Sequence, residues 1–484
     1  MNVPVDHADL KPDPPPLYAA RVAIYPKRVS GRFRTIKWAL LLGCLAIYYL
    51  LPFIRWQRGP GAPSQAVLVD FPNRRFYFFF IELWPQEVYY FTGLLIIAAM
   101  ALFLMNAIGG RIWCGYLCPQ TVWTDLFLAI ERFIEGDRRE RMIKARGRLT
   151  LRRAGEIAAK HASWLLIAWW TGGVWVLYFA DAPTLVRELA TFRAPLAAWA
   201  WIGILTFTTY ALAGHMREQV CIYMCPWPRI QAALTDEWAL NVTYRRDRGE
   251  PRVSLRKAEA LRRHGEPAGD CIDCRQCVAV CPTGIDIRDG AQLGCIMCGL
   301  CIDACDNVMN RVGRTTGLIA YDNDINLQRR RDNKPPLYRI VRPRTLIYTG
   351  IIVLTGVTML AALVSRAHIQ ISVEHDRNPL FVTLSDGSIR NAYSLHLLNK
   401  RHAVSPILLE VEGLPAAEIH VIGQDVAVSG RPLIPVAADQ GSEVRVLVTV
   451  PPQALIERSR PVTFRATDTA TGETAIAADH FIAR

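Results

Sequence analysis

The chain has 484 residues, enough for two to four domains. Hydrophobic residues make up 51% of it and the formal net charge is +13, a balance that argues against a single small soluble domain and for membrane spans. All 13 Cys lie between Cys44 and Cys305, in patterns that speak for metal or redox chemistry and against a disulfide framework.

Residues 1–34 are polar and Pro-rich (KPDPPP) and carry no apolar core of a signal peptide. They are expected to form a flexible cytoplasmic tail. A transmembrane bundle is expected over 35–214, with spans at Ile36–Ile54, Val88–Ile108, Trp164–Ala180 and Leu196–Gly214. A fifth span, Thr345–Val364, lies in a segment 344–365. The aromatic run Phe76–Trp84 (FYFFFIELW) is too short to cross; it reads as an interfacial or re-entrant segment, or as a buried amphipathic loop. Phe127–Phe133 (FLAIERF) reads as an amphipathic helix at the membrane face. Lys and Arg crowd the segment before the first span (Arg21, Lys27, Arg28, Arg32, Arg34), the loop from Arg138 to Arg153, and the stretch ending in Arg329, Arg330 and Arg331. A cytoplasmic N-terminus satisfies all three. The same topology explains the basic charge without nucleic acid, which is not expected as a partner; anionic membrane lipid is.

The densest chemistry is Cys271–Cys305, within a cytoplasmic domain expected over 215–343. Two C-x2-C-x2-C-x3-C runs follow one another. That rhythm is a bacterial ferredoxin with two [4Fe–4S] clusters, in which the fourth Cys of each run ligates the other cluster. The expected ligands are therefore Cys271, Cys274, Cys277 and Cys305 for one, and Cys281, Cys295, Cys298 and Cys301 for the other. Pro282 follows the first run, whereas Asp306 stands where Pro is expected after the second. Two zinc sites are the alternative.

RIWCGYLCPQ and REQVCIYMCPWPR each contain C-x3-C-P just past a span. Spans two and four exit on the same face, so Cys114, Cys118, Cys221 and Cys225 are each expected at the cytoplasmic membrane surface; the spacing leaves open whether they form one site. Pro119 and Pro226 are expected to open new helices, leaving Cys118 and Cys225 at helix N-termini where thiolate is favoured. With Met224 beside them they suit Cu(I). Local disulfides and plain packing remain alternatives. Cys44 is a mid-span filler. His161 and His215 sit at the cytoplasmic ends of spans, as haem ligands or interfacial polar residues. Glu82 and Glu87 flank the aromatic run, as proton carriers for a quinol or ordinary interfacial carboxylates.

From Arg366 to Arg484 the pattern alternates (IQISVE, SPILLEVEG, EVRVLVTV, PVTFRATD), without Cys. An antiparallel β-sandwich, on the periplasmic side, is expected over 366–484. His368, His375, His396, His402, His420 and His480 show no ligand spacing.

The order of spans, GRIWCGYLCPQ, VCIYMCPWPR, the two ferredoxin runs, a last span and a sandwich resembles the FixG/RdxA/CcoG family over about residues 30–484. The resemblance implies a multi-pass protein of the bacterial inner membrane with an α-helical transmembrane bundle, an inserted α+β 2[4Fe–4S] ferredoxin-like domain and an immunoglobulin-like sandwich. It also implies a role in cbb-type cytochrome c oxidase biogenesis, by reducing Cu(II) to Cu(I), with oxidase subunits or copper-delivery proteins as partners. Cys114, Cys118, Cys221 and Cys225 are the expected copper and catalytic residues; the electron donor, quinol or a cytoplasmic reductant, stays open. Up to about residue 310 the chain also resembles NapH-type relays from quinol to a partner reductase. A non-enzymatic assembly scaffold is a further alternative.

Overall fold

The computed structural model describes residues 23–58, 62–401, 403–423, 427–428, 431–454 and 458–483. The first 22 residues of the expected tail, Arg21 among them, and His402 lie outside this set. The chain forms two compact units, one of residues 1–52 and 94–353, the other of 53–93 and 354–484.

Among the described residues four helices are long and apolar enough to cross a membrane: Arg32–Phe53, Pro85–Gly109, Leu196–Met216 and Pro343–Val364. They cover four of the five expected spans. The remaining one, Trp164–Ala180, coincides up to Val176 with the helix Leu151–Val176, whose first half carries Arg152, Arg153, Glu156 and Lys160; residues 177–180 are turn and bend. That helix packs closely on Leu196–Thr209, where a Cβ on Gly172 would meet the Ile202 carbonyl at 3.0 Å.

In the first unit the helix Pro119–Glu135 contains the FLAIERF segment. Phe133 is exposed, but the opposite face buries charge as well as Phe127. Asp125 accepts two bonds from Arg34 at 2.8 and 2.9 Å, with Lys37 at 3.6 Å. Glu131 pairs with Arg141 at 2.7 Å and Arg217 at 2.9 Å. Buried charges persist only when paired in this way. The Cys271–Cys305 region is α+β: helices Gln276–Ala279 and Leu300–Arg311, bracketed by the antiparallel pair Asn241–Tyr244 and Ile319–Asp322.

In the second unit the expected sandwich is present. One antiparallel sheet runs Glu418–Val421, Gln440–Val450, Ile389–Asn399, Ile369–His375. The other runs Ala427–Val428, Arg431–Val436, Ser405–Glu412, Ser459–Asp468, Thr474–Ile482. Tyr393, Leu395 and Leu397 alternate inward to meet Ile407, Leu409 and Phe464 in one core. That alternation is the physical content of the sequence pattern.

The aromatic run is not re-entrant. Its residues form the strands Arg75–Phe78 and Ile81–Leu83 of a three-stranded sheet with Val67–Asp70. Tyr77 is buried and its strand neighbour Phe78 exposed, as strand alternation requires. Glu82 and Glu87 are buried partners in ion pairs. Glu82 faces Arg75 at 3.2 Å, and Arg75 also holds Asp439. Glu87 accepts from Lys400 Nζ at 2.6 Å and from the Trp84 amide at 3.1 Å. Glu87 thus holds segment 53–93 to the sandwich directly, and Glu82 does so through Arg75.

Lys400→Met would leave the buried Glu87 carboxylate only the longer Arg366 ion pair at 3.7 Å and should destabilise the unit by about 3 kcal/mol. The expected readout is faster hydrogen exchange in Val67–Leu83. Adding Glu87→Gln should restore most of the protection, because both charges are then gone.

Candidate iron–sulfur and thiol site

The two Cys runs fold as near repeats. In the first, Asp273 and Arg275, on either side of Cys274, have φ of 50° and 52°. In the second, Met297 and Gly299, on either side of Cys298, have φ of 55° and 72°. Paired left-handed residues curl each C-x2-C-x2-C segment back on itself, which turns successive sulfurs to one side. At Gly299 the freedom is also steric, since a Cβ would lie 2.8 Å from the Phe33 ring. Asp306, which stands where Pro was expected, accepts from the Gly317 amide at 2.7 Å and so tethers the chain leaving Leu300–Arg311.

Cys277, Cys281, Cys295, Cys298 and Cys301 line one cavity, walled by Val242, Ile285, Ile287 and Leu300. Cys271 and Cys305 are buried in the adjoining core, and Cys274 is exposed. All are free thiols. Burial pushes Cys277, Cys295 and Cys305 up to about 12, and raises Cys298 and Cys301 as well, with neighbouring sulfurs adding to the effect in Cys298, Cys301 and Cys305. Such thiols ionise only if a cation replaces the lost water. Among the described residues no three His, Cys, Asp or Glu side chains converge on one point, as a mononuclear site requires. Sulfurs spread around an apolar cavity fit the corners of a cubane better than the closed tetrahedron of a zinc site.

The thiol pairs adjoin this region. Cys114 lies in the short helix Ile112–Tyr116 and shares a core with Ile296, Cys298 and Leu300. Backbones touch there: a Cβ on Gly115 would meet the Ile296 carbonyl at 2.6 Å and Cys298 Cα at 3.0 Å. Tyr116 OH donates to the Cys298 carbonyl at 3.0 Å. Cys114 Sγ donates to Gln231 Oε1 at 3.2 Å.

Cys118 caps the helix Pro119–Glu135 with Pro119 in its first turn, as expected. At the second pair the register slips by one. Pro226 is itself the cap of Trp227–Leu234, and Cys225 closes the π-helical turn Val220–Met224 by a bond from its amide to the Val220 carbonyl at 2.8 Å. The wider turn consumes the residue that an α-helix would have left for the cap.

The two pairs lie near enough to feel one another's charge. Burial pushes the Cys114 thiol up to about 11, opposed by Arg111 and reinforced by Cys118 and Cys225. Burial pushes Cys221 up to about 12, reinforced by Cys118, Cys114 and Cys225. Met224 stands exposed beside Cys225. His161 and His215, far apart in sequence, stack with ring centroids 5.7 Å apart. Lys37, Asp125, Tyr116 and Gln231 line these surroundings and carried no sequence signal, because nothing in their spacing relates them to a Cys run.

Three family models match. One described as "4Fe-4S dicluster domain" covers residues 216–324, and one described as "4Fe-4S binding domain" covers 91–135, which includes the first thiol pair. One for the "IG-like fold at C-terminal of FixG" covers 359–484. Nitrogen fixation protein FixG of Rhizobium meliloti is 49% identical, over 95% of this chain and 92% of its own length. Protein RdxA of Cereibacter sphaeroides is 49% identical over 94% and 93%. Protein RdxB of the same organism is 49% identical over 84% and 87%. With that identity spread over nearly the whole length, the chain belongs to the FixG/RdxA family of membrane iron–sulfur redox proteins.

Proposed function

We propose that this protein is a membrane-bound cupric reductase serving cbb-type oxidase biogenesis. One observation carries the reading: two thiol pairs share one electrostatic site, and the first of them packs directly on the Cys298 backbone. Redox partners need contact of this kind, and a merely structural Cys pair does not. In this reading Cys271, Cys274, Cys277 and Cys305 hold one [4Fe–4S] cluster, and Cys281, Cys295, Cys298 and Cys301 the other. When bound, the clusters supply one-electron carriers.

The chain's own groups do the rest. Cys114, Cys118, Cys221 and Cys225 offer soft sulfur, which favours Cu(I) over Cu(II) and so draws the reduction forward. Copper binding displaces the thiol protons that burial otherwise retains. Gln231 accepts the Cys114 proton's hydrogen bond, and the Arg111 guanidinium eases its ionisation. Cu(II) takes one electron and leaves as Cu(I) to a delivery protein or an oxidase subunit.

Charge distribution supports a cytoplasmic N-terminus and cluster region, a periplasmic sandwich and residence in the bacterial inner membrane. A NapH-like relay without copper is the second reading, supported by the match of residues 91–135, with the first thiol pair, to a 4Fe-4S binding domain. A two-coordinate Cu(I) needs only one pair, so copper retains priority.

Cys114→Ser or Cys221→Ser should lower cupric reduction about tenfold or more with iron content unchanged; normal rates in both variants would favour the relay. Cys305→Ser should disturb the same paramagnetic cluster signal as Cys271→Ser, and Cys281→Ser the other, with iron falling from about eight to about four per chain. Alkylation of Cys114 and Cys221 in copper-free protein should be slow at pH 8. Its rate should rise about tenfold per pH unit toward their raised ionisation range, because thiolate is the reacting form.

A further inference from the structure

The helix Leu196–Thr209 continues into a π-helical turn, Tyr210–Met216. The Arg217 amide donates to the Leu212 carbonyl, five residues back, at 2.8 Å. Such turns are rare and concentrate at functional sites, and this one has a geometric result. On an α-helix, positions 210 and 215 would stand about 140° apart around the axis. Here Tyr210 and His215 share a face, with ring centroids 4.9 Å apart. His161 meets them from Leu151–Val176, its Nδ1 2.9 Å from Tyr210 OH. The turn ends at Arg217 with φ of 43°, a left-handed conformation that costs any residue with a side chain.

Trp164 stands edge-on to both imidazoles, at 84° and 87°. The nearby charges are already matched: Lys160 with Glu135 at 2.6 Å, and Arg217 and Arg141 with Glu131. Burial lowers the His161 imidazole from its ordinary range, with Lys160 and His215 adding to the effect, so its ring is held toward the neutral, proton-accepting form. His215 is exposed at the end of a candidate span, on a helix with exposed Phe207. The site is therefore open where an apolar ligand would arrive from lipid. Gln120, two residues beyond Cys118, donates to the carbonyls of Leu212 at 2.8 Å and Arg217 at 3.2 Å. It ties this turn to the thiol-bearing helix.

We propose that His161, Tyr210 and His215 bind the headgroup of a lipid-soluble quinol that donates electrons to the iron–sulfur clusters. The proposal rests on the redox reading above and names its donor. Both quinol O–H bonds break. The two protons pass to the imidazole nitrogens of His161 and His215 and on to water. The two electrons leave one at a time, one to each cluster, and the oxidised quinone returns to the membrane. Tyr210 is a positioning residue: its hydroxyl orients the His161 ring.

The full chain in lipid nanodiscs, kept anaerobic, is mixed with decylubiquinol or menadiol while the visible iron–sulfur absorbance is followed; dithionite provides a donor that needs no site. The wild type should bleach with at least one quinol. His161→Ala and His215→Ala should slow that bleaching about 100-fold, and Tyr210→Phe less, with iron content and dithionite bleaching unchanged. If an Ala variant loses iron, His161→Gln and His215→Gln replace it with the same expectation. The proposal is overturned if neither quinol bleaches the wild type, if the variants match its rate, or if the purified protein shows a haem band. A wild type that dithionite cannot bleach would instead sink the iron–sulfur reading beneath it.

Discussion

Sulfur buried in apolar surroundings is the constraint on which this structure depends. Burial raises the thiols of Cys295, Cys298, Cys301 and Cys305 above their ordinary range, so their thiolates call for a cation beside them. A chain that collects so many such groups has built a receptor for metal. The left-handed residues around Cys274 and Cys298, the two-stranded sheet and the close contact at Gly115 all follow from enclosing that sulfur.

The first unit solves a second problem with the same economy of burial. Helices at a membrane surface must carry charge, yet several of these charges face inward. Asp125 with Arg34 and Lys37, and Glu131 with Arg141 and Arg217, fix the helix Pro119–Glu135 against its neighbours. Pairs of this sort add little net stability over apolar packing, but a wrong register strands a charge, so they specify one arrangement. The second unit uses the same device in Glu87 with Lys400. Cys118 caps this helix and Thr121 within it donates to the Cys114 carbonyl at 2.6 Å, which links thiol geometry to the ion pairs that set the helix's position.

Much of this was legible in the residues themselves. Ferredoxin spacing is local, since one loop must bring three sulfurs to one cluster, and so Cys271–Cys305 is readable in isolation. Strand alternation is equally local, and the sandwich followed from it. The aromatic run Phe76–Trp84 misled because its weight of Phe masks a period of two; Glu82 and Glu87 then looked like membrane carboxylates. The slip at Pro226 arose from a π-helical turn, which has no reliable composition signal. The helix Leu151–Val176 begins well before its apolar half, because charged residues continue a helix without extending its hydrophobic run.

The sequence by itself determined the chemistry of the ligands, the family and the order of the parts, because spacing and periodicity act over a few residues. Tertiary structure alone decided that Cys114 lies against Cys298, that the two thiol pairs feel one another's charge, and that His161 meets Tyr210 and His215. These neighbours are separated by about 50 to about 200 residues of chain, and only the packing of helices and matching of buried charges brings them together.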